Sequence, residues 1–222
     1  MILNVENLTK QYLQGGTIVK ALDDISFNIS TGESLSIVGP SGSGKTTLLT
    51  LLAGLDKPSE GKIILNKEDL TKLSEKEIIQ FRSQNIGIVF QQFHLMPHLT
   101  ALENVSLPLE IAGKYSLSEI EERAKHYLDL VGLSHRHDHF PNQLSGGECQ
   151  RVAIARATIM NPKILLADEP SGNLDTKTGI KVMDLLFKMS EDNQSNLILV
   201  THDIRLANRC QRQIHLTGGR LQ

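Results

Sequence analysis

Ser34-Leu35-Ser36-Ile37-Val38-Gly39-Pro40-Ser41-Gly42-Ser43-Gly44-Lys45-Thr46-Thr47-Leu48-Leu49 carries three signals in direct succession: an apolar run, a G-x-x-x-x-G-K-[ST] loop and a run that favours helix. That spacing builds a loop wrapped around the phosphates of a nucleotide. Glycines let backbone N–H groups turn inward at φ values other residues resist, so anionic oxygens can approach closely. Lys45 reaches the β- and γ-phosphates, and the Thr46 hydroxyl is placed to ligate Mg2+. Residues 46–53 are expected as a helix whose N-terminal dipole faces the same phosphates. Gly54 stands where such a helix ends in a left-handed residue.

The bulk properties set limits around this loop. A chain of 222 residues holds one sizeable core, or one core with a small attached subdomain. No stretch approaches the ~18 consecutive apolar residues of a membrane span, and the N-terminus lacks the basic and apolar segments of a secretory signal. Two cysteines, Cys149 and Cys210, make no disulfide framework, which fits a reducing cytosol. A net charge of −2 argues against a protein dominated by contacts to a nucleic-acid backbone, so no nucleic-acid partner is expected.

Along the chain, residues 1–37 alternate in a strand-like way around the turn-prone Gln14-Gly15-Gly16, and Lys62-Ile63-Ile64-Leu65-Asn66 reads as a further strand of the same antiparallel layer. Four short, continuously apolar runs begin at Leu35, Ile86, Ile164 and Leu197. Such runs are strands buried on both faces, as a parallel sheet requires. Residues 93–144 hold no such run. They carry the capping box Ser116-Leu117-Ser118-Glu119, followed by Ile120, Ala124, Leu128 and Val131 at helical spacing. The expected fold is α/β: one domain over residues 1–222, with a mainly parallel, phosphate-loop core and an N-terminal antiparallel β layer over about 1–92 and 145–222. A helical subdomain is inserted at about 93–144. The tail reads as a hairpin around Gly218-Gly219.

Two further segments carry chemistry. Lys163-Ile164-Leu165-Leu166-Ala167-Asp168-Glu169-Pro170 is a buried strand ending in two carboxylates. In company with a phosphate loop, Asp168 suits Mg2+, and Glu169 is placed to orient or deprotonate an attacking water. Leu144-Ser145-Gly146-Gly147-Glu148 opens the helical run that follows. Ser145 as N-cap with Glu148 three residues on is a capping box. Two glycines behind the cap also leave N–H groups bare, which describes an anion site. Local physics divides evenly between those two readings. The closely spaced His135-Arg136-His137-Asp138-His139 reads as an exposed loop rather than a metal centre.

Taken together, residues 39–46, 144–148, 164–170 and Thr201-His202-Asp203 strongly resemble the ATPase subunit of ATP-binding cassette (ABC) transporters, in that family's order and over essentially the whole chain. The resemblance implies ATP and Mg2+ as ligands. It makes Ser145, Gly146, Gly147 and Glu148 the signature motif that contacts the γ-phosphate of ATP held on a second nucleotide-binding subunit. It gives Tyr12 the role of the aromatic that stacks on adenine, Gln91 that of the glutamine touching Mg2+ and the attacking water, and Asp175 that of the main residue in the loop joining two active sites. His202 corresponds to the switch histidine that senses the γ-phosphate. Residues 92–100 resemble the surface that receives a helix of an integral-membrane permease, although Phe93, Leu95, Met96 and Leu99 suit a core equally well. Cys149 departs from the glutamine or methionine common after the signature.

The expected mechanism is a head-to-tail homodimer with two ATP molecules in composite sites, closing on binding and opening on hydrolysis. The subgroup most resembled is bacterial: lipoprotein-releasing and macrolide-exporter-like ATPases, with the lipid-handling YbbA type. This implies a peripheral protein at the cytoplasmic face of the inner membrane, powering export or extraction of a hydrophobic substrate. The rival expectation keeps the same ATPase but couples it to mechanical control of periplasmic or cell-wall enzymes.

Overall fold

Alternation in the first thirty residues produces a long hairpin. β1 (Leu3–Gln14) and β2 (Thr17–Ile29) run antiparallel, joined by Gly15 and Gly16 at φ 57° and 81°. Leu3, Val5, Leu8, Leu22, Ile25 and Ile29 are buried. β3 (Leu35–Val38) and α1 (Lys45–Leu52) come next, and then β4 (Glu60–Leu65) and β5 (Glu68–Asp69) complete an antiparallel layer in the order β2-β1-β4-β5. The strand expected at 62–66 is β4, paired Leu3↔Leu65 with β1.

The computed structural model describes residues 1–222, which divide into two compact units. The first, residues 1–82 and 196–222, combines the antiparallel layer with parallel strands. In it β3 is flanked by β8 (Asn196–Val200) and β9 (Arg212–Thr217), both parallel to it. Every residue of β3 and β8 is buried, which is why both are mostly apolar, with Ser36 and Asn196 their one buried polar residue each. β10 (Arg220–Leu221) returns antiparallel to β9 around Gly218-Gly219, the expected tail hairpin. The short helix α7 (Ile204–Ala207) follows β8 and is capped by Asp203.

The second unit, residues 83–195, contains the parallel pair β6 (Ile86–Val89) and β7 (Ile164–Asp168), in register from Ile86↔Ile164 to Val89↔Ala167. α2 (Glu75–Asn85) leads into it. α3 (Ala101–Ala112), α4 (Leu117–Leu130), α5 (Gly146–Thr158) and α6 (Thr176–Asp192) supply the rest. Three of these helices begin in complete capping boxes: Thr100 with Glu103, Ser116 with Glu119, and Ser145 with Glu148. Each box satisfies N–H donors that a helix start otherwise leaves bare. In the middle of α5, Val152, Ala153, Ile154 and Ala155 are all fully buried, so this helix is wrapped on every side. None of residues 91–100 is buried, which rules out the core role that Phe93, Leu95, Met96 and Leu99 otherwise suit. The buried Asn104 fastens this segment to α3: its Nδ2 donates to the carbonyls of Met96 and Leu99, and its Oδ1 accepts from the Met96 N–H at 2.8 Å.

Candidate functional site

The first unit carries the phosphate loop. Gly42 and Gly44 take φ 77° and 101°, which L side chains resist. At Gly39 the constraint is proximity instead, since a Cβ there would lie 2.1 Å from the Leu216 carbonyl oxygen. α1 starts directly behind Gly44 with no side-chain cap, leaving its first-turn N–H groups for an anion. Lys45 Nζ donates to the carbonyls of Gly39 and Pro40 at 2.9 and 2.8 Å, folded over the loop it serves. Ser43 Oγ is buried without a hydrogen-bond partner, an acceptor or donor held ready inside the loop. Residues 41, 42 and 44–47 line a cavity of about 400 Å3, walled by Val19, Lys20 and Ala21 on one side and Gly218 and Gly219 on another. The open helix start and the orphaned Ser43 hydroxyl fit a bound triphosphate with its Mg2+. A larger cavity of about 490 Å3, between the end of α1 and α2, includes no phosphate-loop residue.

Tyr12 pairs with Val19 across the hairpin, and directly opposed residues share a sheet face. It therefore stands beside the cavity that Val19 lines. Its hydroxyl donates to Asp56 at 3.1 Å, and Lys10 Nζ, itself 2.7 Å from Asp56, sits 4.8 Å from the ring centroid. Burial and the Asp56 carboxylate both push the Tyr12 phenol upward, so it stays protonated. His202 is exposed, between the buried Thr201 and the helix cap Asp203.

The second unit gathers the remaining residues around one loop. β7 ends at Asp168, and Glu169 follows at φ 45°. A non-glycine residue in the left-handed region is uncommon, costs energy and clusters at functional sites. The Glu169 carbonyl accepts from the Gly172 N–H at 2.9 Å. Gly172 and Asn173 then hold Gln91: a Cβ on Gly172 would lie 2.7 Å from Gln91 Nε2. Gln91 Nε2 donates to Asn173 Oδ1 at 3.1 Å, while Asn173 Nδ2 donates to the Gln91 carbonyl at 3.0 Å. One residue on, Leu174 packs where a Cβ of Gly146 would stand, 3.3 Å from it. Asp175 caps α6 by accepting from the Thr178 N–H at 3.1 Å, and the Thr178 hydroxyl followed by that N–H holds its carboxyl below the usual range. Thr178 in turn closes over Gly147, whose Cβ would meet the Thr178 methyl at 2.4 Å. Residues 169–178 thus bring Glu169, Gln91, Asp175 and the signature glycines together.

Ser145 and Glu148 form the helix cap that local physics offered as one of two readings. Glu148 Oε2 accepts from the Ser145 N–H and hydroxyl at 2.9 and 2.7 Å. Glu148 Oε1 accepts from Arg136 Nε at 3.0 Å. The Ser145 hydrogen bonds, reinforced by Arg136, hold the Glu148 carboxyl down at about 2. Cys149 is buried, and that burial pushes its thiol up, away from the reactive thiolate. Two contributors have no signature in the sequence: Thr178 and Arg136. A third is Arg156 on α5, which donates to the carbonyls of Phe93 and His94 at 2.9 and 2.7 Å, both residues being in left-handed conformations.

Comparison with known proteins identifies the family. The ABC transporter family model matches residues 22–172. Two solved structures of the cassette MJ0796 are similar over 100% of this chain and 97% of theirs, at 46% identity and a TM-score of 0.92. One is described as a dimeric structure of a post-hydrolysis state bound to ADP and Pi, the other as the dimeric structure of a bacterial ABC transporter cassette. With the phosphate loop, the signature capping box and the carboxylates of β7 in place over a full-length match, the chain belongs to the ABC transporter family, as one of its ATP-binding, ATP-hydrolysing cassettes.

Proposed function

We propose that this cassette works as one half of a homodimer in which each ATP is bound by the phosphate loop of one copy and completed by the signature motif of the other. The phosphate-binding half of this reading is carried by the open helix start behind Gly44, with Lys45 satisfied by the loop's own carbonyls and poised to exchange them for phosphate oxygens, and the dimeric half is supported by the likeness to dimeric cassettes. Residues 39–47 bind the triphosphate, with Tyr12 against the base. Thr46, Gln91 and Asp168 are the residues that would hold Mg2+, which would supply positive charge to the phosphates. Glu169 accepts a proton from the attacking water, and His202 and Gln91 position that water and the γ-phosphate. Ser145, Gly146 and Gly147 of the second copy supply the missing donors, Glu148 holds Ser145 in place for them, and Asp175 ties the two sites together.

Outside the dimer, the exposed segment 92–100 is the docking surface for an integral-membrane permease, placing the cassette at the cytoplasmic face of a bacterial inner membrane. No helix of the chain is long and apolar enough to cross a membrane. The likeness in residues 92–105 and 171–175 to the lipoprotein-releasing and macrolide-exporter-like subgroup makes a hydrophobic cargo, moved or extracted by transmitted motion, the best-supported work. Fluorescent ATP-analogue binding and ATP turnover test the catalytic part: Lys45→Ala should lose nucleotide binding, and retention of full affinity would remove the phosphate loop from its role. Reconstitution with the co-purifying membrane protein, assayed for ATP-dependent lipid extraction, tests the second part. Absence of any ATP-dependent movement there would refute the cargo reading.

A further inference from the structure

Outside the motifs, Arg136 has the most direct hold on one of them. Its Nε donates to Glu148 Oε1 at 3.0 Å, and its Nη1 lies 3.0 Å from His139 Nε2. The loop that carries it is fixed in place. The Arg136 N–H donates to the Leu133 carbonyl at 2.9 Å, while the carbonyls of His137 and His139 accept from the N–H groups of Leu102 and Ala101 at 3.0 and 2.8 Å, at the start of α3. The guanidinium therefore reaches the signature motif from a backbone already anchored elsewhere.

The need for a cation here follows from charge. A carboxylate at the fifth position of the motif places a negative charge in the first turn of α5, the end of the helix meant to receive a triphosphate. A like charge in the first turn opposes the dipole that would draw a triphosphate to it. Arg136 cancels that charge and leaves Glu148 Oε2 free to grip the Ser145 N–H and hydroxyl. We infer that Arg136 is a positioning residue for ATP hydrolysis: it neutralises Glu148 and fixes the Ser145–Glu148 box in the form that meets the second copy's triphosphate. This rests on the proposed role of Ser145 across the dimer. A partly exposed ion pair contributes little to stability, so the effect belongs in turnover and not in folding.

The test is a set of full-length variants, Arg136→Gln, Glu148→Gln, their double and Ser145→Arg, measured for ATP turnover and for urea unfolding. Arg136→Gln should lower kcat/KM by about tenfold, the scale of one charge-assisted hydrogen bond, with ATP-analogue affinity of the dilute monomer and the urea midpoint holding. The same change in the Glu148→Gln background should cost less than about twofold, because no carboxylate remains to be neutralised. Equal losses in both backgrounds, a loss matched by unfolding, or unaltered turnover of Arg136→Gln each overturn the inference. If Ser145→Arg also turns over ATP normally, the reading of the signature motif falls with it. If Ser145→Arg is inactive while Arg136→Gln is not, only Arg136 loses its role.

Discussion

At the scale of single residues, two positions trade comfort for function. Glu169 occupies the left-handed region at φ 45°, a conformation that costs an L residue roughly 1 kcal/mol and that glycine adopts freely. Replacing it with glycine relieves that strain but removes the carboxylate. Glu169→Gly should therefore raise unfolding stability by about 1 kcal/mol while slowing turnover by roughly 10²–10⁴. Glu169→Gln should slow turnover equally without the gain in stability, so urea unfolding beside steady-state hydrolysis separates strain from chemistry. Gly147 is the converse case, where the fold and not only the phosphate demands glycine. Its Cβ would sit 2.4 Å from the Thr178 methyl, and overpacking of this kind costs about 1–3 kcal/mol. Gly147→Ala should destabilise by that amount, and Thr178→Ser in the same chain should return most of it. A Gly147→Ala protein as stable as the parent would leave this glycine to phosphate contact alone.

At the scale of elements, the buried strands were the most legible part of the sequence, because burial on both faces leaves β3 and β8 almost wholly apolar, with one buried polar residue each, Ser36 and Asn196. The hairpin turns at Gly15-Gly16 and Gly218-Gly219 were legible for a related reason, since all four glycines have positive φ. α3 was legible only as part of an undivided helical region: the Thr100–Glu103 box marks its start, but Pro108 inside it interrupts the pattern a reader looks for. The left-handed backbone at Glu169 gave no sign, because no glycine stands there. Arg136 gave none either, lying twelve residues from its carboxylate in a stretch whose histidines draw the eye. The signature helix α5 also yields a pH prediction. Folded Glu148 titrates at about 2 against an unfolded 4.5. Its contribution is therefore complete above the unfolded value and is lost as pH falls from about 4.5 through about 2. The stability difference between the parent and Glu148→Gln, read from urea midpoints, should be present at pH 6 and shrink steadily below pH 4.5. A difference constant down to pH 2.5 would remove the carboxylate from the cap.

At the scale of the whole molecule, the decisive question is whether one chain can complete its own site. A phosphate loop approaches the triphosphate from one direction, whereas phosphoryl transfer needs charge stabilised all round the γ-phosphoryl group. In the proposed dimer the remaining donors come from the other copy, and a two-fold arrangement makes both sites alike. Two defective variants then distinguish sharing from self-sufficiency. Ser145→Arg spoils the motif a copy lends, and Glu169→Gln spoils the site a copy owns while letting it bind ATP. Either variant alone should be nearly inactive, because each of its sites contains the defect. In a mixed dimer, however, the phosphate loop and Glu169 of the first variant meet the intact Ser145 of the second, and one of two sites is whole. With equal amounts and random pairing, half the dimers are mixed, so turnover should recover to about a quarter of the parent value. That recovery should appear only at protein concentrations where size-exclusion chromatography with ATP shows a species of twice 24.6 kDa. If each chain closed its own site, both variants would stay defective in any mixture. A flat activity across mixing ratios, in samples that do dimerise, would therefore refute the composite site, whereas a bell-shaped profile peaking at equal amounts requires it.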